Sequence, residues 1–175
     1  DRRQRQMCIR DSFGPGASEY HGWMEYGGGQ QLKDRIYGEY GLKALNCLTH
    51  APETSGWFRK KINNVEELKG MKMRFFGLGA MVMSKLGVST QLLAGGDIYP
   101  ALEKGVIDAT EFSMPTHDLS YGFYQLAKFN YFPGWHQQTS IGELLMSTKG
   151  WGGLTKTQQA VINTACRDTM WWALV

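Results

Sequence analysis

The sequence predicts an α/β fold. Short extended runs alternate with short helical segments along most of the chain, the order that produces parallel strand pairs. The composition, 42% apolar and 20% charged over 175 residues, is that of an ordinary globular protein with room for one core or for parts of two. The 22 glycines gather in turn-like clusters such as Gly27-Gly28-Gly29 and Gly95-Gly96 and form no repeat, which sets aside collagen-like, low-complexity and solenoid architectures.

The elements follow in order. Over residues 19–40, Trp23, Met24, Leu32, Ile36 and Tyr40 form an apolar stripe at helical spacing, and the three glycines divide it into two helices. Gly41 stops the second, and residues 42–48 are an apolar strand. Asn64 with Glu67 is a capping box for one turn ending at Gly70. Residues 71–76 alternate Met71, Met73 and Phe75 against Lys72, Arg74 and Phe76, a strand pattern. Gly77-Leu78-Gly79 reads as a turn, 80–86 as a helix closed by Gly87, and 88–93 as extended. Asp97 is the expected N-cap of a helix carrying Ile98, Ala101 and Leu102 and ending at Gly105. Residues 106–112 are a strand, 118–127 a helix, 129–132 an aromatic strand stopped by Pro133-Gly134, and 142–147 a further strand. Thr155 with Gln158 is a second capping box, opening a long helix towards the C-terminus.

Charge and motifs exclude several functions. Four of the 19 basic and two of the 16 acidic residues lie in the first twelve, so the rest of the chain is within one charge of neutral. No phosphate-binding face is expected, and nucleic acid is not an expected partner. Residues 1–12 are expected to be a disordered leader or scar, and residues 13–175 the folded region. Cys8, Cys47 and Cys166 lack metal-ligand spacing; free or buried thiols are expected, with one disulfide as the upper limit. No apolar run reaches about 18 residues, so no membrane span is expected. His21, His50 and His117 show no zinc spacing. Gly77-Leu78-Gly79-Ala80-Met81-Val82 follows a strand but has Val82 where a dinucleotide fingerprint needs glycine. A phosphate loop and a Gly-x-Ser-x-Gly elbow are both missing from the sequence.

Three places carry chemistry. Arg74 lies in a strand of large apolar residues, and arginine grips a carboxylate through two parallel hydrogen bonds; from spacing alone an arginine on an exposed strand face is the commoner reading. Glu111 and Phe112 end a strand, where ligands collect in open α/β sheets; a surface ion pair is the alternative. Tyr131-Phe132-Pro133-Gly134-Trp135-His136-Gln137-Gln138 combines apolar walls with imidazole and amide groups, as a ligand pocket does and as a packed aromatic turn also does.

Four stretches together, in this order and spacing, resemble the DctP-type solute receptors of TRAP transporters. They are Ser55-Gly56-Trp57-Phe58-Arg59-Lys60-Lys61-Ile62, then Glu67-Leu68-Lys69-Gly70-Met71-Lys72-Met73-Arg74, then the segment from Gly95-Gly96-Asp97-Ile98-Tyr99-Pro100 to Ile107-Asp108-Ala109, and Tyr131-Phe132-Pro133-Gly134-Trp135-His136. The similarity runs from about Phe13 to the C-terminus, and the branch it resembles is that of receptors for 2-oxo acids, lactate, mannitol or chloroaromatic compounds.

The resemblance implies a two-lobed periplasmic-binding-protein-like fold with a hinge, of which this chain is expected to be a fragment, with parts of both lobes present and the N- and C-terminal portions missing. It implies a periplasmic receptor, not an enzyme, that binds an organic acid (a carboxylate such as a 2-oxo or 2-hydroxy acid) and delivers it to the membrane subunits of a TRAP transporter. Arg74 is then the carboxylate anchor. Glu111 and Phe112 help to hold the ligand, in some members through a cation, where relatives often carry Glu-Trp. About twenty residues before the arginine such receptors often place Gln or Arg on the ligand or cation, and Thr54 stands in that neighbourhood. Trp57, Trp135, His136 and Gln137 complete the expected lining. No cofactor is expected beyond Na⁺ or Ca²⁺ at the ligand site, with Glu111 and Phe112 as its candidate holders. The alternative is a small-molecule α/β enzyme acting on a carboxylate, with Glu111 or His136 as acid or base.

Overall fold

The computed structural model describes residues 14–173, so the leader expected over 1–12, with Cys8, lies outside the described residues. In chain order the helices are α1 (Ala17–Tyr26), α2 (Gly29–Gly38), α3 (Gly77–Lys85), α4 (Gly95–Glu103), α5 (Pro115–Ser120), α6 (Thr148–Gly152) and α7 (Lys156–Trp172). The strands are β1 (Leu42–His50), β2 (Gly56–Phe58), β3 (Lys72–Arg74), β4 (Ser89–Gln91), β5 (Ala109–Thr110), β6 (Phe129–Tyr131) and β7 (Ser140–Ser147). The chain divides into two compact units, one built on Pro52–Gln138, the other on Pro15–Ala51 with the chain from Thr139 on.

The first unit holds a five-stranded sheet in the order β4-β3-β5-β2-β6. The expected parallel pairing is present where β3 runs beside β4 and β5, whereas β2 is antiparallel to both its neighbours. Successive residues of a strand face opposite sides of a sheet, and the core is split accordingly. Phe58 joins Met71, Met73, Phe75, Met83, Val88 and Ala109 on one side. Trp57 joins Ile98, Leu102, Ile107, Phe123 and Ala127 on the other. Gly56 lets β2 lie this close: its φ is +137°, and a Cβ there would meet the Thr110 carbonyl oxygen at 2.9 Å and the Met73 methyl at 2.8 Å.

Local signals and tertiary demands part at several points. Gly77-Leu78-Gly79, expected as a turn, is the first turn of α3. The N-cap of α4 is Ala94, and Asp97 sits inside the first turn, where its charge favours the helix N-terminus. The strand expected over 106–112 shrinks to Ala109–Thr110, and the helix expected over 118–127 becomes α5 followed by a separate turn at Phe123–Gln125. Asn64 does accept from the Glu67 amide, but the turn it caps is a 3₁₀ turn, Val65–Leu68.

In the second unit β1 and β7 form an antiparallel ribbon running from Leu42 opposite Ser147 to His50 opposite Ser140. Helix α7 begins with the predicted capping box at Thr155 and Gln158. A Cys47–Cys166 disulfide joins β1 to α7, which corrects the expectation of free thiols. The chain brings together two cysteines 119 residues apart, a proximity no sequence spacing signals. His21 shares a 2.7 Å hydrogen bond with Thr49. Buried Lys33 reaches Glu143 and Asn46 from α2.

Candidate functional site

The site lies entirely within the first unit. Strands β3 and β5 run parallel, with Arg74 opposite Thr110, so the next residue, Glu111, leaves the sheet beside Arg74. The Glu111 amide donates to the Arg74 carbonyl at 3.0 Å. From there Arg74 Nη1 donates to Glu111 Oε2 at 2.8 Å and to the Glu111 carbonyl at 2.5 Å, and Nε donates to the Leu93 carbonyl at 3.4 Å. The guanidinium lies 5.2 Å from the centre of the Phe112 ring, within cation–π range. Arg74 is 7% exposed and Glu111 3%, so the arginine does not stand on an open strand face. Among the described residues its Nη2 protons make no hydrogen bond, and they remain for an acceptor.

The turn after β6 supplies the opposite wall. Its geometry is locked to residue 53, just ahead of β2. The Gly134 amide donates to the Glu53 carbonyl at 2.7 Å, and the Glu53 amide donates to the Gln137 carbonyl at 3.1 Å. A Cβ on Gly134 would stand 2.7 Å from that Glu53 oxygen, so only glycine permits the approach. Gln137 Nε2 donates to Glu53 Oε1 at 2.8 Å. His136 Nε2 faces two carboxylates at once, 3.3 Å from Glu53 Oε2 and 3.4 Å from Glu111 Oε1. The imidazole packs edge-on to Phe75 and Trp135, and its Nδ1 is buried without a partner.

This crowding sets the charges. Burial lowers the His136 pKa, but hydrogen bonds and attraction from Glu111 and Glu53 outweigh it and push it up to about 9; the ring is an imidazolium at neutral pH. Glu53 is raised above the usual carboxylate range by burial, with His136 opposing. Asp118, from α5, is fully buried. Its pKa is pushed up to about 7 by burial first, against the hydrogen bond from Trp57 and with repulsion from Glu111 and Glu53.

Of the residues named from sequence, the fold brings Arg74, Glu111, Phe112, Trp135, His136 and Gln137 together. Thr54 and Trp57 turn instead to Asp118: Trp57 Nε1 donates to Asp118 Oδ2 at 2.8 Å, and Thr54 Oγ1 donates to the same atom at 3.5 Å. Two residues escaped the sequence reading. Glu53, beside Thr54, occupies the position about twenty residues ahead of Arg74, and the spacing rule that singled out its neighbour was the available signal. Asp118 looked like a helix start, and nothing local marks it as buried. Ligand atoms of Glu53, Glu111 and His136 lie within 4.8 Å of one another, a separation that a cation can span.

The family model of bacterial extracellular solute-binding protein, family 7 (DctP), matches residues 17–173. The chain is 39% identical over 153 residues to a monocarboxylate 2-oxoacid-binding periplasmic protein of Nostoc sp., covering 87% of this chain and 42% of that protein. A TRAP transporter solute-binding protein of Bordetella bronchiseptica RB50, described with copurified calcium and picolinate, superposes with a TM-score of 0.80 at 37% identity, covering 98% of this chain and 50% of that one. One from Pseudoalteromonas atlantica T6c, described with bound sodium and pyruvate, gives 0.73 at 35% identity, covering 90% and 48%. The chain thus spans about half the length of these relatives.

Proposed function

The chain belongs to family 7 of the bacterial extracellular solute-binding proteins, and on that footing we propose that Arg74, Glu111, His136 and Glu53 form the acid-binding part of a periplasmic receptor for a small monocarboxylate of the 2-oxo acid type. The observation that carries this reading is the Arg74 guanidinium. It is held rigid by Glu111 and the Leu93 carbonyl, while among the described residues its Nη2 protons have no acceptor, which leaves a preorganised, charged N–H donor for a carboxylate oxygen. Phe112 and Trp135 supply apolar wall, while Trp57 and Thr54 support it from behind.

A hard cation fits beside the anchor. The carboxylates of Glu53 and Glu111 offer the oxygen donors that Ca²⁺ or Na⁺ takes, whereas the His136 nitrogen suits neither. When bound, the ion supplies positive charge against which a ligand carboxylate or keto oxygen can rest. Glu53 and Glu111 would hold it, and His136 would keep the two carboxylates from repelling each other in its absence. Phe112, named from sequence as a second holder, contributes its ring to the guanidinium. The proposal includes delivery of the acid to TRAP membrane subunits, and the Cys47–Cys166 bridge supports an oxidising compartment such as the periplasm. No helix among the described residues is long and apolar enough to cross a membrane.

The enzyme alternative is disfavoured by the same geometry. A His136 pKa near 9 makes a poor base at neutral pH, and Glu111 is committed to Arg74. Calorimetric titration with pyruvate, with Ca²⁺ or Na⁺ and again after chelation with the buffer free of both ions, tests the proposal. Saturable heat that needs the ion is the expected result. Turnover of pyruvate, or no binding of any monocarboxylate in either condition, refutes it.

A further inference from the structure

The side-chain hydrogen bonds of Asp118 go to Trp57 and Thr54 and to none of the groups proposed to meet the ligand, yet it is a fully buried carboxylate, a costly thing to place in a core unless its acceptors are met. Its Oδ1 makes no hydrogen bond. Its Oδ2 accepts from Trp57 Nε1 at 2.8 Å and from Thr54 Oγ1 at 3.5 Å, and the Ser113 backbone also faces the carboxylate as a donor. The Trp57 and Thr54 donors belong to the stretch that starts at Glu53 and enters β2. The same stretch is tied on one side by the Thr54 amide to the Ser113 carbonyl at 3.2 Å, in the segment that carries Glu111 towards α5. On the other side Gly134 and Gln137 hold the Glu53 backbone. Asp118 therefore closes a bracket around residues 53–57, whose one inward product is the Glu53 side chain beside Glu111 and His136.

We propose that Asp118 is a positioning residue of the binding site: by taking the Trp57 and Thr54 donors it fixes the segment that aims Glu53 at the cation and ligand. The ligand-facing half of this rests on the reading of Glu53 given above, while the bracket itself stands on hydrogen bonds alone. A single acceptor oxygen suffices for the clamp, so asparagine can replace it and leucine, with similar bulk and no acceptor, cannot.

The test compares wild type with D118L, D118N and W57F by amide hydrogen exchange and by calorimetry with Ca²⁺ alone. D118L is expected to deprotect the Glu53 and Thr54 amides while the Phe75 amide, bonded to Gln91 in the sheet, keeps its protection. It is expected to weaken Ca²⁺ binding by roughly 10–100-fold, the usual effect of losing a residue that orients a metal ligand. D118N is expected to restore both properties to within about threefold of wild type, below the 10–100-fold range. W57F, which removes the same hydrogen bond from its donor side, is expected to loosen Glu53 as D118L does, and it decides the matter if D118L does not fold. Unchanged exchange at Glu53 and Thr54 in D118L and W57F overturns the proposal, as does a D118N variant as damaged as D118L. Equal loss of protection at Phe75 also overturns it, because the residue is then core packing only. Should wild type bind neither Ca²⁺ nor pyruvate, the receptor reading fails and the exchange pattern still decides the clamp.

Discussion

Replacing Arg74 by methionine keeps most of the apolar stem and removes the guanidinium, and the structure fixes how much that should matter. Lost are the hydrogen bonds from Nη1 to Glu111 Oε2 at 2.8 Å and to the Glu111 carbonyl at 2.5 Å, together with the stacking over Phe112. Glu111 is left 3% exposed with its main counter-charge gone. Removing one partner of a buried ion pair costs about 3–5 kcal/mol, chiefly through the uncompensated charge. His136 Nε2 remains 3.4 Å from the other Glu111 oxygen, so the lower end, about 3 kcal/mol, is expected. Native-state hydrogen exchange is the suitable assay, because it reads the first unit separately from the second. The reporters are the Glu111 amide, bonded to the Arg74 carbonyl, and the Phe75 amide, bonded to Gln91. Adding E111Q to the variant should recover part of the loss, with a coupling energy of about 0.5–3 kcal/mol. In the intact protein R74M should also weaken monocarboxylate binding by about 1.5–3 kcal/mol, the worth of a hydrogen bond to a charged group. A destabilisation under about 1 kcal/mol would place the pair in the class of solvent-screened surface bridges and refute the anchor as described.

Three further outcomes follow from the same geometry. The His136 pKa is raised from 6.5 to about 9 in the folded state, so its contribution is complete below about pH 6.5 and lost as pH rises through about 9; exchange-measured stability of the first unit should fall across that window by on the order of 2–3 kcal/mol, and H136Q should flatten the slope, a slope unchanged in H136Q showing that the two carboxylates do not hold the ring's proton. Substituting Glu53→Gln keeps the side chain's shape but removes a charged oxygen donor; Ca²⁺ affinity, read by calorimetry without any acid present, should drop while the fold's exchange pattern stays, and an unaltered affinity would remove Glu53 from the ion's donor set. Peptide mapping without reductant should recover a linked Cys47–Cys166 fragment, and reduction should destabilise the second unit by up to about 4–5 kcal/mol on the chain-entropy estimate for a loop of this length; an unaltered melting profile after complete reduction would show that the bridge contributes nothing.

The sequence by itself determined many of the element types, because periodicity and capping are local, but it missed β2 and α6 and read the start of α3 as a turn. The alternation of Met71, Met73 and Phe75 marks β3, and Thr155 with Gln158 marks the start of α7. Residue type alone made Arg74, Glu111, Phe112 and His136 candidates beside a surface arginine, a surface ion pair and a packed turn; the resemblance of four stretches, in their order and spacing, to DctP-type receptors is what pointed to a site and to the family. Tertiary structure decided everything that depends on which distant segments meet. Thr54 and Trp57 face Asp118, and Glu53 takes the place beside Glu111 and His136, because the hydrogen bonds of Gly134 and Gln137 hold the chain there and reach across more than eighty residues. The charge on His136 was equally illegible, since a lone imidazole has no defined state until the fold sets two carboxylates against it. Burial and electrostatics are properties of assembled neighbours, and no window of the sequence contains them.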